Sequence, residues 1–129
     1  MENKTVKKFI MLGGFMMALG VGLGAFGAHA LKKMLDPHMI DVYNTAVEYQ
    51  FYHALGMFVV AFLAYLNPKN SQVNLAGNIM FGSTIVFSGS LYIMTITGIK
   101  WLGAITPIGG TGFIIAWILL ALSINNKEA

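Results

Sequence analysis

Residues 9–28, FIMLGGFMMALGVGLGAFGA, are the stretch that decides the fold. These twenty residues carry no charge, and as an α-helix they would span about 30 Å, the thickness of a bilayer's hydrocarbon core. The rest of the chain has the same character, since 57% of its 129 residues are hydrophobic, only 10% are charged, and the mean hydropathy is +0.70. A soluble domain of this size has too little interior to bury so much apolar surface. We therefore predict a protein that has the lipid bilayer as its surroundings.

Three further apolar stretches predict an all-α integral membrane bundle of four transmembrane helices. The predicted spans cover about residues 9–31, 46–66, 74–98 and 102–124 of a single membrane domain, residues 1–129.

The second span is the informative one, because its uninterrupted apolar run, Ala54 to Leu66, has only thirteen residues. A span needs about 20 residues, so the crossing helix must take in the polar side chains that precede Ala54. Before it, Asp36 and Pro37 have the character of a helix N-cap and first helical residue. They predict a short amphipathic segment between helices 1 and 2, from Pro37 to Asn44, which either runs into span two or lies on the surface.

The charged residues indicate an orientation. If both termini are cytoplasmic, the lysines on the cytoplasmic side outnumber those outside by five to three, which the positive-inside rule favours. The five are Lys4, Lys7, Lys8, Lys69 and Lys127, and the three are Lys32, Lys33 and Lys100. We therefore predict a multi-pass plasma-membrane protein with both termini in the cytoplasm. All eight basic residues are lysines, so a nucleic-acid partner is poorly supported. The chain has no cysteine, which excludes disulfides and thiolate chemistry.

The glycines of the first span can be read in several ways. Gly22, Gly24 and Gly27 have the G-x-G-x-x-G spacing of a dinucleotide-binding loop, but no strand precedes them, so we predict no cofactor. Residues 28–30, Ala-His-Ala, match a signal-peptidase site, yet the apolar run is longer than the usual ~7–15 residues, so we expect the segment to be retained. Small residues at intervals of four allow helices to approach closely. The predicted helix-packing face consists of Gly13, Gly20, Gly24 and Ala28.

Polar side chains from all four spans, together with the proline and glycines of span four, fall near one membrane surface in this topology. They are His29 of span one, Asn44, Thr45, Glu48, Tyr49, Gln50, Tyr52 and His53 at the start of span two, Ser88 and Tyr92 of span three, and Thr106, Pro107, Gly109 and Gly110 of span four. Ionisable groups within a membrane are costly, and they are candidates for a functional site. We predict a binding pocket near the outer face formed by Glu48, His53 and His29. The alternative is that these groups only join the helices by hydrogen bonds.

Other kinds of chemistry have less support. No H-x-x-x-H or E-x-x-H spacing is present, and we predict no metal site. Ser88 or Ser90 lacks the context of a nucleophile, so we expect no enzyme. Pro107 and the glycines that follow it predict a kink or a local break in span four.

Three motifs carry a family resemblance: GAFGAHAL at residues 24–31, TAVEYQFYHAL at 45–55 and TPIGG at 106–110. In this order the motifs resemble the domain-of-unknown-function 423 family, also called uncharacterised protein family 0382, of small bacterial integral membrane proteins. The resemblance implies a multi-span bundle in the plasma membrane and no established biochemical activity. It names no ligand.

Two main hypotheses of function follow. The first is a binding or accessory protein that holds a lipid headgroup, a small solute or a proton in the polar pocket. The second is a structural or assembly partner, of another membrane protein or of a second copy, that packs through its glycine-rich first helix. A transporter subunit is a more distant third. Exposure of the face of Gly13, Gly20, Gly24 and Ala28 to lipid favours the second hypothesis, and burial of that face favours the first.

Overall fold

The computed structural model describes residues 3–125, so Lys127, counted above as cytoplasmic, lies outside the described residues. Four long helices are present: α1 (Lys4–His29), α2 (Pro37–Leu66), α3 (Ser71–Thr97) and α4 (Thr106–Leu122). Short 3-10 helices cover Leu31–Lys33, Lys100–Ala104 and Ser123–Asn125. With the 3-10 segments that flank α1 and α4, each of the four is long and apolar enough to cross a membrane. The predicted class, an all-α bundle of four transmembrane helices, is confirmed.

The helices begin where the sequence places capping residues. Asp36 Oδ1 accepts a hydrogen bond from the Met39 amide at 2.8 Å, and Pro37 follows as the first residue of α2. The predicted amphipathic segment Pro37–Asn44 is therefore continuous with α2 and forms its first two turns. At the other end of the bundle, Asn70 caps α3 by accepting from the amides of residues 72 and 73.

The fourth span is interrupted before its proline. The 3-10 helix Lys100–Ala104 precedes Ile105, and α4 then begins with Pro107 in its first turn. Pro is well accommodated there because its missing N–H has no partner in the first turn of a helix. The predicted kink within the span is thus a helix start, and Gly109 and Gly110 lie in the regular part of α4.

The helices pack in an order that makes α2 and α3 the inner pair. α1 packs along α2, α2 along α3, and α3 along α4. In the most apolar window of each span, 44% of the residues of α2 and α3 are buried, against 22% for α1 and α4. α1 and α3 have few contacts, among them the one where the Phe9 ring covers Gly77. This arrangement leaves one opening between α1 and α3 and another between α2 and α4.

The glycine face of α1 is used inside the bundle. A Cβ added at Gly13 would lie 3.0 Å from the Ala54 carbonyl oxygen, and one at Gly20 would lie 2.7 Å from the Phe51 ring. Gly24 packs against Val47 of α2, while Ala28 is exposed. Gly27, which was not assigned to the face, is buried against the Tyr43 ring. The face of α1 that packs against α2 therefore consists of Gly13, Gly20, Gly24 and Gly27.

Candidate functional site

An opening beside a buried polar side chain lies between α2 and α4. It is a cavity of about 650 Å³. Its walls are Tyr49 and His53 from α2, Phe87 from α3, and Pro107, Gly110, Thr111, Phe113, Ile114, Trp117 and Ile118 from α4. Five of these ten residues are aromatic or imidazole rings, and none has a carboxylate, ammonium or guanidinium group. A few polar groups in a mostly apolar cavity of this size are typical of small-molecule sites.

His53 is the buried polar residue of this cavity, with only 4% of its surface exposed. Its Nδ1 lies 2.8 Å from the carbonyl oxygen of Tyr49, one helical turn earlier. Because a carbonyl oxygen only accepts hydrogen bonds, Nδ1 carries the hydrogen and donates it. In the neutral ring, Nε2 is then an acceptor. Among residues 3–125 no group hydrogen-bonds to Nε2. No side-chain nitrogen or oxygen of these residues is both fully buried and without a hydrogen-bond partner, so Nε2 must retain some accessible surface.

Stacked rings fix the plane of the imidazole. The rings of His53 and Phe113 are nearly parallel, with centroids 3.6 Å apart and an angle of 7° between their planes. Trp117 lies on α4 one turn after Phe113, with its ring centroid 5.9 Å from that of His53. The position of Nε2 is therefore set by one hydrogen bond and one stacking contact, both from within the bundle.

Glycines let α4 approach the inner helices closely enough to form these contacts. A Cβ added at Gly109 would lie 2.7 Å from the Phe87 amide nitrogen, so only glycine fits against the α3 backbone there. Gly56 of α2 lies against Trp117, where an added Cβ would be 3.0 Å from the indole. The TPIGG motif thus positions the wall of the cavity, and Gly110, whose added Cβ would be 3.9 Å from the Phe87 ring, lines it.

Gln50 is the second buried polar residue of α2, and its surroundings differ from those of His53. Its Nε2 donates to the Met16 carbonyl of α1 at 2.8 Å, and its Oε1 accepts from the Tyr92 hydroxyl of α3 at 2.6 Å. The Tyr43 ring contacts Tyr92 edge to face, and the Tyr43 hydroxyl donates to the Leu23 carbonyl of α1 at 2.6 Å. These hydrogen bonds join α1, α2 and α3.

Glycines and side-chain donors are paired along α1. The two α1 carbonyls that accept from α2, those of Met16 and Leu23, each lie four residues before a buried glycine, Gly20 and Gly27. Because a helical side chain leans over the preceding turn, a Cβ at either glycine would lie beside the carbonyl and block the approach of the donor. An added Cβ at Gly20 would be 3.3 Å from Gln50 Nε2. The glycines therefore make room for hydrogen bonds as well as for close packing.

Hydroxyl groups of the predicted cluster join other pairs of helices. Ser88 Oγ donates to the Ala46 carbonyl at 2.7 Å, which links α3 to α2. Thr106 Oγ1 lies 2.7 Å from Ser90 Oγ, which links the start of α4 to α3. The Thr45 hydroxyl donates to the Asp41 carbonyl within α2.

The predicted pocket of Glu48, His53 and His29 is divided by the fold. Glu48 and His29 are exposed, and neither lines the His53 cavity. Glu48 and His53 are five positions apart, which places them on different faces of α2. Tyr52 is exposed as well, and Asn44 lines a shallow cleft of about 220 Å³ beside Lys32. Of the fourteen predicted site residues, the α2–α4 cavity brings together Tyr49, His53, Pro107 and Gly110, and the opening between α1 and α3 brings together Gln50, Ser88 and Tyr92.

Several residues of the cavity were not predicted from the sequence. Phe87, Phe113 and Trp117 supply most of its aromatic surface, and Thr111, Ile114 and Ile118 complete it. One signal was available. Tryptophans of membrane proteins concentrate at the two interfaces, whereas Trp117 falls in the middle of span four. A tryptophan at that depth indicates a contact with protein or ligand.

No metal site is indicated by geometry in the part of the chain that the structure describes. No group of three His, Cys, Asp or Glu side chains there could hold a metal ion. His53, the histidine of the cavity, has an aromatic and aliphatic surrounding that supplies no further ligand of that kind.

Comparison with known proteins gives the family. A family model described as "Protein of unknown function (DUF423)" matches residues 23–110. A UPF0382 membrane protein of Bacillus subtilis, YwdK, is 50% identical over 92% of this chain and 96% of its own length. UPF0382 membrane proteins of Staphylococcus aureus and Staphylococcus haemolyticus are each 45% identical over 92% of this chain and 95% of their own lengths. No solved structure matches. The chain therefore belongs to the DUF423 family of uncharacterised membrane proteins.

Proposed function

We propose that this protein binds an amphiphilic molecule dissolved in the membrane, and that the binding site is the cavity between α2 and α4. The observation that carries the proposal is the buried His53, held in a fixed orientation at a cavity of about 650 Å³ with one ring nitrogen unpartnered by residues 3–125. A buried polar group normally has a hydrogen-bond partner. A bound molecule would supply that partner.

The length of the cavity fits a membrane lipid or a similar amphiphile. Its α4 wall extends from Pro107 to Ile118, eleven residues along the helix. At 1.5 Å per residue this is roughly 16 Å, about half the thickness of the hydrocarbon core. A chain or ring system that occupies one leaflet would fill it. The proposal is for binding rather than catalysis, because the candidate serines, Ser88 and Ser90, do not line this cavity and already hydrogen-bond to Ala46 and Thr106.

We place the protein in the plasma membrane with both termini in the cytoplasm, on the lysine distribution given above. The hydrogen bonds from Lys8 Nζ to the side-chain oxygens of Asn74 and Asn78, both 2.9 Å, are consistent with a wet surface at that end of the bundle. Labelling of single cysteines tests the orientation, since the chain has none of its own. A cysteine at Ser71 should react only after the membrane is opened, and reaction in intact cells would reverse the orientation.

Filling the cavity tests the binding role. Gly110→Leu places a side chain in the cavity, and its Cβ would make only ordinary contact with the Phe87 ring. Gly82→Leu is the matched control, because nothing lies within 4 Å of an added Cβ at Gly82, which is exposed on α3. Native mass spectrometry of protein in lipid nanodiscs should show a bound non-protein molecule in the wild type and in Gly82→Leu, but not in Gly110→Leu. Equal occupancy in all three, or none in the wild type, would contradict the proposal.

A second candidate function is assembly through α1. The predicted face of Gly13 and Gly20 is buried against α2, which favours the binding role. No residue of 3–125 covers the opposite face of α1 at Gly14 and Gly22, which are exposed and have nothing within 4 Å of an added Cβ. If that face joins two copies, Gly22→Leu should convert a dimer in nanodiscs to a monomer, whereas Gly82→Leu should not. A wild-type monomer would rule this candidate out for self-association.

A further inference from the structure

The hydrogen-bonding state of His53 restricts which amphiphile the cavity accepts. We infer that the ligand carries an uncharged hydroxyl group, as an alcohol, a phenol or a hydroquinone does, and that this hydroxyl donates its hydrogen to His53 Nε2. This inference rests on the binding role proposed above and specifies the chemical class of the ligand.

The tautomer of His53 is fixed by its hydrogen-bond partner. Nδ1 faces the Tyr49 carbonyl at 2.8 Å, and that oxygen can only accept. Nε2 of the neutral ring therefore presents a lone pair, and a ligand group that binds there must be a donor. Ketones, ethers and ester carbonyls have no hydrogen to donate and cannot make this bond.

The cavity favours an uncharged imidazole and an uncharged ligand. If the imidazole were protonated, both nitrogens would be donors, and an anionic ligand would fit. No lining residue carries a charge, and Glu48, the acid nearest to His53 in the sequence, is exposed on another face. A charged imidazole would thus lack a counter-charge in a cavity lined by Phe113, Trp117 and the isoleucines, where an unpaired charge is costly. The same reasoning disfavours a phosphate or carboxylate as the bound group.

The orientation of the His53 ring is fixed by its contacts. The parallel contact with Phe113 at 3.6 Å holds the plane of the ring, and a half-turn within that plane to offer Nδ1 would lose the hydrogen bond to Tyr49. The acceptor is therefore fixed before the ligand arrives, which lowers the entropy lost on binding. Tyr49 and Trp117, whose side chains carry an O–H and an N–H donor, line the same cavity, and a hydroxyl oxygen can accept from such donors in turn. A hydroxyl, which both donates and accepts, matches this set.

The test compares two probes that differ only in this hydrogen: 4-dodecylphenol and its methyl ether, 4-dodecylanisole. Each is titrated into nanodiscs that contain the Trp101→Phe protein, so that Trp117, in the cavity wall, is the one remaining tryptophan. Its fluorescence reports occupancy. A net hydrogen bond of about 1 kcal/mol corresponds to roughly five-fold tighter binding of the phenol.

Two variants assign the preference to His53. His53→Phe keeps a flat ring beside Phe113 but removes the acceptor, so the phenol and the ether should bind equally. Tyr52→Phe removes a hydroxyl from α2 at an exposed position that does not line the cavity, and it should leave the preference intact. Should His53→Phe fail to fold, His53→Leu, which also lacks a side-chain acceptor, takes its place, and the phenol and the ether are again expected to bind equally.

The outcomes separate the two claims. Equal binding of phenol and ether to the wild type overturns the hydroxyl inference but leaves the binding role standing. A preference that survives in His53→Phe overturns the assignment to Nε2. Binding of neither probe, together with an empty cavity in native mass spectrometry, removes the proposed function itself.

Discussion

Gln50 and His53 lie three residues apart on α2, and both are buried, yet they have opposite surroundings. Both ends of the Gln50 amide bind protein, through Met16 on α1 and Tyr92 on α3. Only one nitrogen of His53 binds protein, within its own helix, and the other has no partner in residues 3–125. A polar side chain with all its partners in neighbouring helices stabilises the bundle. One that is buried, oriented and incompletely partnered is positioned to bind something else.

The two openings of the bundle follow the same division. The smaller, of about 180 Å³ between α1 and α3, contains Gln50, Ser88 and Tyr92, whose polar atoms already have partners. The larger, between α2 and α4, contains His53. We expect substitutions on the α1 side to change the stability of the bundle and substitutions on the α4 side to change binding. The predictions run from the largest expected loss of stability to the smallest, except that His53→Phe, whose main effect is on binding, stands beside its counterpart Gln50→Leu.

The largest effect is expected for Gly27→Leu. An added Cβ would lie 2.9 Å from Cδ2 of the Tyr43 ring and closer still to Cε2, so α1 must separate from α2 and the Tyr43 bond to Leu23 is lost. Overpacking of this kind lowers the free energy of unfolding by about 3 kcal/mol. Unfolding in mixed micelles measures it. The control is Gly22→Leu, where the space is open; if both lose stability equally, close packing at Gly27 is not the cause.

Gln50→Leu should follow. The substitution removes two hydrogen bonds and leaves the buried Met16 carbonyl and Tyr92 hydroxyl without this partner. We expect a loss of about 2 kcal/mol in the free energy of unfolding. The change in Trp117 fluorescence on ligand binding should be retained. If Gln50→Leu kept full stability and lost binding instead, the division between the two residues would be reversed.

Its counterpart is His53→Phe, which keeps the ring and loses a bond within one helix. Polar contacts in membrane proteins contribute about 0.6 kcal/mol on average, and we expect a change in the unfolding free energy of that order or less. The binding preference for 4-dodecylphenol should disappear. A stability loss as large as that of Gln50→Leu would show that His53 is mainly structural.

Tyr92→Phe removes a single hydroxyl from the α1 side. Gln50 Oε1 loses its donor but Gln50 Nε2 keeps the Met16 carbonyl, so we expect about 1 kcal/mol of destabilisation. The double variant Gln50→Leu/Tyr92→Phe should lose less than the sum, because both substitutions remove the same bond. Additive losses would mean that the two side chains do not interact.

The smallest effect is expected for Glu48→Gln. Glu48 is exposed and does not line the cavity, and changes at such positions usually stay within about 0.5 kcal/mol. Unfolding and Trp117 titrations should both match the wild type. A loss of binding in this variant would show that Glu48 belongs to the binding site, as the sequence-based prediction of a pocket of Glu48, His53 and His29 has it.

The fold was accessible from the sequence because its signals are local. Twenty uncharged residues predict a span whatever surrounds them, and Asp36 followed by Pro37 predicts a helix start from two adjacent residues. That Gln50 and His53 belong to the second span was predictable for the same reason. Helical spacing, however, gives only the face on which a residue lies, and not the helix that covers that face.

The site depended on that missing information. Gln50 and His53 lie on adjacent faces, and only the packing order, with α1 on α2 and α4 on α3, decides that one meets the Met16 carbonyl and the other meets Phe113. Glu48 was grouped with them because it shares their depth, although it lies on the exposed side. In the sequence Phe113 is one of many apolar residues of its span, and only the packing of the helices shows that it contacts His53.

The most direct measurement is ¹⁵N NMR of His53 in nanodiscs, with histidine labelled and His53→Phe used to assign its signals among the three histidines of the chain. We predict that Nδ1 carries the hydrogen and that Nε2 does not. Addition of 4-dodecylphenol should shift the Nε2 signal, and 4-dodecylanisole should leave it unchanged. A ring with its hydrogen on Nε2, or an Nε2 signal that responds to neither probe while Trp117 reports binding, would contradict the role of His53 as the acceptor of the site.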